Sequence, residues 1–162
     1  MFKQLSIALV VALSVSCAKQ EKNAMYQVAS PNAKNNIKFE LQNGVPTYSV
    51  SHGEKNVLNT SDLGFIFKNK DSLSSNFEVL RTEETAFDET WEQVWGEKHN
   101  IRNHYNQLSV TLQETSKTKR QLEIQFRAFD DGIAFRYVYP EQGKDSIVIM
   151  KELTSFNLAN DG

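Results

Sequence analysis

The sequence predicts an all-β fold of antiparallel strands, either a sandwich or a barrel. Apolar and polar residues alternate with a period of two in many short segments, and turn sequences rich in Asn, Asp and Gly separate these segments. After the N-terminal segment, no amphipathic helical pattern is longer than two turns. Many short strands joined by turns are typical of antiparallel sandwiches and barrels.

The first half of the chain predicts a hairpin followed by several short strands. Residues 37–42 alternate, Asn43-Gly44 supplies a turn that tolerates positive φ, and alternation resumes at residues 48–50. His52-Gly53-Glu54 marks the next turn. Further short strands are predicted around residues 57–58, 63–67 and 77–79.

The second half contains the most regular alternation. Strands are predicted at residues 108–113 and 122–128, separated by a polar loop at 115–119. Asp130-Asp131-Gly132 then turns the chain into a strand at residues 133–139. Ile147 and Ile149 suggest a last short strand.

Composition is that of one ordinary globular domain. The 162 residues include 20 acidic and 18 basic side chains, and 40% are hydrophobic, which argues against a disordered chain or a collagen. A single cysteine argues against a disulfide scaffold. A net charge of −2 and the lack of nucleic-acid-binding motifs make nucleic acid an unexpected partner.

The N-terminal segment is typical of an export signal. Lys3 precedes an apolar run, residues 5–15, that is about half of the roughly 20 residues needed to span a membrane. Ser14-Val15-Ser16-Cys17 resembles a bacterial lipobox, which predicts a lipoprotein signal peptide at 1–16 and lipidation of Cys17. The alternative is an ordinary secretory peptide with an incidental Cys17. We expect an exported protein, anchored through this lipid in the periplasm or the outer membrane, with a polar tether at 17–29 and a folded domain at 30–162.

Residues 87–106 hold the candidate functional groups. Aromatic rings stack on the C–H faces of sugars, and carboxylates, amides and guanidinium groups pair with hydroxyls, so this mixture suits carbohydrate. The candidates for sugar binding or for a domain interface are Trp91, Trp95, Glu97, Arg102, Asn103 and His104. No motif for a nucleophile, a nucleotide or a metal is present, so no catalytic or metal-binding residue is assigned.

Each candidate also has a structural alternative. Trp91 and Trp95 would lie on one face of a strand and could fill the core. Glu97 could simply be solvated, and Arg102 and His104 could form cross-strand ion pairs with a carboxylate. Residues 130–132 fit a hairpin turn better than a metal loop.

The same region carries a resemblance to a known family. The segments 87–91, 94–97, 101–106 and 129–137 resemble the N-terminal domain of glycoside hydrolase family 97. That family comprises bacterial α-glucosidases and α-galactosidases, typical of Bacteroidetes. They are built from an N-terminal β-super-sandwich of galactose-mutarotase-like fold, a catalytic (β/α)8 barrel and a C-terminal β-sandwich.

The resemblance implies that the chain is the first part of an enzyme, with its own domain truncated at the C-terminal end. Catalytic carboxylates and the ligands of the family's calcium would lie outside this chain. It would bind α-linked oligosaccharide and contact its own barrel, without turnover by itself. The alternatives are a stand-alone glycan-binding lipoprotein and a structural sandwich without a ligand.

Overall fold

A computed structural model describes residues 23–68, 70–140 and 147–160. Within these ranges the chain forms ten β-strands and no α-helix, so the described residues include no helix that could cross a membrane. The strands are β1 (Ala24–Ala29), β2 (Asn35–Gln42), β3 (Val45–His52), β4 (Lys55–Asp62), β5 (Phe65–Phe67), β6 (Phe77–Glu92), β7 (Asn100–Glu114), β8 (Gln121–Phe129), β9 (Gly132–Val138) and β10 (Ile149–Glu152).

The first sheet is an antiparallel meander in the order β1-β2-β3-β4. The predicted hairpin is confirmed: Phe39 pairs with Tyr48 across β2 and β3. Asn43 and Gly44 form its turn with φ values of 50° and 80°. Two consecutive positive φ angles define the turn type that matches the twist of the flanking strands, which explains the Asn-Gly pair.

The second sheet repeats this plan in the order β6-β7-β8-β9. The strands predicted at residues 108–113, 122–128 and 133–139 are confirmed, with Val110 paired with Ile124 and Phe126 paired with Phe135. The loop at 115–119 and the turn at 130–131 lie where they were predicted. Strands β5 and β10 form a small third sheet.

The core lies between the inner faces of the two larger sheets, which makes the fold an antiparallel β-sandwich and confirms the predicted class. The ring centroids of Phe39 and Phe126 lie 6.0 Å apart, and those of Tyr48 and Phe135 lie 5.1 Å apart. Burying a large apolar side chain contributes about 1.5–3 kcal/mol. The fully buried side chains include Ile37, Phe39, Leu41, Tyr48, Leu108, Leu112, Leu122, Ile124 and Phe126.

The predicted tether at 17–29 is wrong over its last part. Ala24–Ala29 is strand β1, with Tyr26 opposite Phe39 and a buried Val28 opposite Ile37. The sheet gains this strand because Tyr26 and Val28 point toward the core while Met25 and Gln27 point outward. The folded domain therefore begins before residue 30. The predicted signal peptide at 1–16 and Cys17 lie outside the described residues.

Strands β6 and β7 extend well past the rest of their sheet. Strand β8 accompanies β7 only from Tyr105 to Gln113, whereas β6 and β7 continue to pair until Glu92 lies opposite Asn100. We call residues 88–104, with their connecting loop 93–99, the ribbon. It places all six sequence-predicted candidates at one end of the sandwich.

Candidate functional site

Both tryptophans lie on the ribbon and outside the core. Trp91 is near the end of β6 and is 49% exposed, and Trp95 lies in the connecting loop and is 84% exposed. The alternative that they fill the sandwich core is therefore wrong. It assumed that the strand continues through Trp95, but β6 ends at Glu92.

The connecting loop brings further apolar surface to the tip. Val94 is 87% exposed beside Trp95, and Glu97 is also exposed. The Gln93 amide nitrogen donates to the Trp95 carbonyl oxygen, and the Gln93 backbone N–H donates to the His99 carbonyl at 2.7 Å. These bonds fold the loop back on itself, so its apolar side chains stand at the end of the ribbon.

One face of the ribbon carries aromatic rings. At the base of the ribbon, Phe87 lies opposite Tyr105, with their rings stacked at a centroid distance of 5.2 Å, and Trp91 follows farther along the same face. Asn103 lies opposite Glu89 on this face because directly paired residues share a side of the sheet. Aromatic rings beside an amide form a surface to which a sugar can stack and hydrogen-bond.

The opposite face of the ribbon is charged. The Arg102 guanidinium donates from Nε and Nη2 to the two carboxylate oxygens of Asp88 at 2.8 and 2.7 Å. His104 Nε2 lies 4.0 Å from the Asp88 carboxylate. The hydrogen bonds from Arg102 lower the pKa of Asp88, and the charges of Arg102 and His104 lower it further. The alternative of a cross-strand ion pair is thus confirmed for Arg102.

The six candidates are therefore divided among three surfaces. Trp91 and Asn103 share the aromatic face, Arg102 and His104 share the charged face, and Trp95 and Glu97 occupy the tip. Sequence reasoning missed Phe87, an exposed part of the aromatic face, and Tyr105, which is buried against Phe87. The register of β6 and β7 brings these two rings together, and sequence alternation alone does not predict that register.

The described residues contain no group of three or more His, Cys, Asp or Glu side chains that could hold a metal ion. Asp130 is part of the turn between β8 and β9, and its Oδ1 accepts a hydrogen bond of 2.8 Å from the Asn32 backbone N–H. Asp88 and Glu89 point to opposite faces of β6, so they do not form an acid/base pair.

The fold is an antiparallel β-sandwich with a projecting ribbon. The ribbon exposes aromatic rings, amides and carboxylates, which are the groups that a carbohydrate-binding domain uses. The chain belongs to the Glycosyl-hydrolase 97 N-terminal family, whose sequence profile matches residues 28–162. This match confirms the resemblance of the ribbon and hairpin motifs.

Curated relatives are longer proteins. The chain is 26% identical over 160 residues to a retaining alpha-galactosidase of Bacteroides thetaiotaomicron, covering 98% of this chain and 22% of the relative. It is also 26% identical to a probable retaining alpha-galactosidase of Streptomyces bingchenggensis, covering 97% of this chain and 24% of the relative. The chain thus spans about a quarter or less of the length of these relatives.

Solved structures share the fold. A Glycoside Hydrolase Family 97 enzyme from Pseudoalteromonas sp. strain K8, solved in complex with panose and with acarbose, is 33% identical with a TM-score of 0.79. The match covers 83% of this chain and 20% of that chain. A beta-arabinopyranosidase is 29% identical with a TM-score of 0.74, over 82% of this chain and 21% of that chain.

Proposed function

We propose that this chain is the carbohydrate-binding N-terminal domain of an exported α-glycoside hydrolase of the α-glucosidase or α-galactosidase type. In this role it supports a catalytic barrel and contributes to the edge of its pocket. The family match and the names of the relatives support this proposal. The observation that carries it is the ribbon, whose tip holds Val94 and Trp95 almost fully exposed.

The exposure of the tip supports a contact with another surface. Large apolar side chains that cluster in water mark binding sites more often than inert surface. The two strands hold the tip away from the sandwich, where it can reach a neighbouring domain or an oligosaccharide bound there. Trp95 would then cover one side of the pocket and exclude water from it.

The two faces of the ribbon would have different tasks. Trp91 and Asn103 would bind sugar by stacking and by hydrogen bonds from the amide. Arg102 is held in place by Asp88, so its guanidinium would orient a hydroxyl or a carboxylate at the domain boundary without reorganising. None of these groups takes a proton from the scissile bond, and the catalytic carboxylates would come from the barrel.

The substrate in this proposal is an α-linked oligosaccharide. Panose and acarbose are bound by an enzyme of which a part, 20% of its chain, has a similar fold, which supports this class of substrate. Calcium would serve the complete enzyme. Because the described residues offer no ligand cluster, we expect its ligands in other parts of the protein.

The test compares the protein expressed from the complete reading frame with its Trp95→Ala variant. We expect a raised KM for p-nitrophenyl α-glucoside or α-galactoside, with the melting temperature unchanged. Met25→Ala is the matched control because Met25 is also an exposed apolar side chain but lies on β1, away from the ribbon. Identical kinetics for both variants would show that the ribbon tip has no part in the pocket.

Export and lipid anchoring form a separate part of the proposal. The lipobox-like sequence ending at Cys17 supports a lipid anchor and a location in the periplasm or at the outer membrane. Labelling with radioactive palmitate should mark the parent protein and not Cys17→Ala. Equal labelling of both proteins would leave an ordinary secretory peptide as the explanation.

A further inference from the structure

The outer face of the first sheet contains a cleft of about 350 Å³, and none of its lining residues belongs to the ribbon. This volume is near the lower end of ligand-binding clefts, which measure roughly 300–1,000 Å³. We call it the polar cleft. Its lining includes Gln27, Asn36, Ser49, Ser51, Asn56 and Asn59.

Strand pairing explains why these side chains meet. Asn36 on β2 lies opposite Ser51 on β3, and Ser51 lies opposite Asn56 on β4. Gln27 and Ser49 flank Lys38 in a second row of the same kind. Directly opposed residues share a face, so the two rows form a polar surface of amides and hydroxyls with Lys38 among them.

Irregular pairing makes this surface concave. Tyr48 pairs with Ser61, Val50 with Leu58, and Ser51 with Asn56, so β4 contains an extra residue at two successive steps. Bulges of this kind bend a strand and are common beside functional sites. Here they allow Asn59 to line the cleft together with Asn56.

Asn36, one of the residues that line the cleft, has a side-chain oxygen without a partner. Asn36 Oδ1 is buried from solvent and accepts no hydrogen bond, and it is the one such side-chain atom found in the described ranges. The adjacent Asn35 is fully engaged by comparison, donating to the Phe129 and Asp130 carbonyl oxygens and contacting His52 Nδ1 at 2.6 Å. An unpaired buried acceptor is costly, and rotation of the Asn36 carboxamide toward the cleft would let a ligand hydroxyl satisfy it.

The chemistry of the lining selects a neutral ligand. Lys38 is the single charged residue among those that line the cleft, and its Nζ lies 3.2 Å from the Glu40 carboxylate. The remaining polar groups are carboxamides and hydroxyls, each able to donate and accept hydrogen bonds. A molecule with several neighbouring hydroxyls matches this set. No aromatic ring is among the lining residues, so hydrogen bonds would carry the recognition.

We propose that the polar cleft is a second carbohydrate-binding site, which holds a neutral sugar unit through hydrogen bonds to Asn36, Asn56 and Asn59. A glycan could then occupy this cleft and the ribbon independently, since the two lie on different sheets. This site does not depend on the ribbon's role in a catalytic pocket.

The test is calorimetric titration of the full chain with maltotriose and, separately, with raffinose. Losing one neutral hydrogen bond should weaken affinity for the bound sugar about fivefold in Asn36→Ala and in Asn59→Ala. Gln42→Ala is the matched control because Gln42 is an amide on β2 that does not line the cleft. We expect this control to bind like the parent, with equal melting temperatures for all four proteins.

A parent protein that binds neither sugar, or Asn36 and Asn59 variants that bind like Gln42→Ala, would overturn the proposal and leave a cleft filled by water. The Trp95→Ala variant separates this result from the proposed function. Loss of all binding in Trp95→Ala with no effect of Asn36→Ala would refute the polar cleft and leave the ribbon's role intact. If Asn36→Ala does not fold, Asn59→Ala decides the outcome.

Discussion

The guanidinium of Arg120 donates two hydrogen bonds to the carboxylate of Glu114, with Nε–Oε2 and Nη2–Oε1 distances of 2.6 Å each. Glu114 is only 4% exposed. The hydrogen bonds that Arg120 donates to Glu114 raise the pKa of Arg120, which stays charged. Arg120 also donates to the Asp71 and Ser72 carbonyl oxygens at 2.9 and 3.1 Å. One side chain thus joins the loop after β7 to the segment before β6.

Arg120→Met should destabilise the domain by about 3 kcal/mol because it leaves a buried carboxylate without its partner. Chemical denaturation measures this change. Arg102→Met is the matched control, since it removes an exposed bidentate pair with Asp88 and should leave the free energy of unfolding almost unchanged. Equal losses in both variants would contradict the assigned difference in burial.

Gly44→Ala should cost more stability than Gly53→Ala. Both glycines have positive φ, 80° and 57°, so alanine is strained at either position by about 1–2 kcal/mol. A Cβ at Gly44 would also lie 3.0 Å from the Phe77 backbone nitrogen, whereas a Cβ at Gly53 meets nothing within 4 Å. The melting temperature of Gly44→Ala should therefore be lower than that of Gly53→Ala. The reverse order would mean that the turn does not pack against β6.

Trp95→Ala should change the free energy of unfolding by no more than about 0.5 kcal/mol because Trp95 makes little contact with the sandwich. Phe126→Ala should cost about 3–5 kcal/mol, since Phe126 is fully buried between the sheets. Denaturant titrations give both values. A large loss in Trp95→Ala would place that ring in the core after all.

Alkaline pH should destabilise the domain through Tyr48. Burial raises the pKa of Tyr48 to about 12 from 10.0, and Tyr137 nearby adds to the shift. The folded state therefore keeps the phenolic proton while the unfolded state releases it, so the stabilising contribution is complete below pH 10 and is lost between pH 10 and about 12. The free energy of unfolding, measured across this pH interval, should depend less steeply on pH in Tyr48→Phe than in the parent. If the free energy of unfolding falls equally steeply with pH in the parent and in Tyr48→Phe, Tyr48 is excluded as the titrating group.

Local alternation predicted most strands because each one lies half against the core. The Asn43-Gly44 turn predicted where β2 ends and β3 begins, since Asn and Gly readily adopt the positive φ that both residues have. Strand β1 was missed because its residues, AMYQVA, do not alternate between apolar and polar and follow a polar stretch. The bulges in β4 could not be predicted because they are shifts in the pairing of β4 with β3, which alternation along one strand does not specify.

The sequence located the candidate site but not its geometry. The cluster of Trp, Arg, Asn and His between residues 91 and 104 identified the ribbon, and the Arg102 ion pair followed from its cross-strand position. The exposure of Trp95 could not be predicted, because it depends on where β6 ends. The polar cleft left no sequence signal either, since ordinary solvent-facing polar positions line it.

The central claim is that this chain serves an α-glycoside hydrolase. Its most direct test is steady-state hydrolysis of p-nitrophenyl α-glucoside and α-galactoside by the protein of the complete reading frame, before and after chelation of calcium. We predict that one of these substrates is cleaved and that chelation lowers kcat/KM. A folded, soluble protein that cleaves neither substrate, with or without added calcium, would contradict the claim.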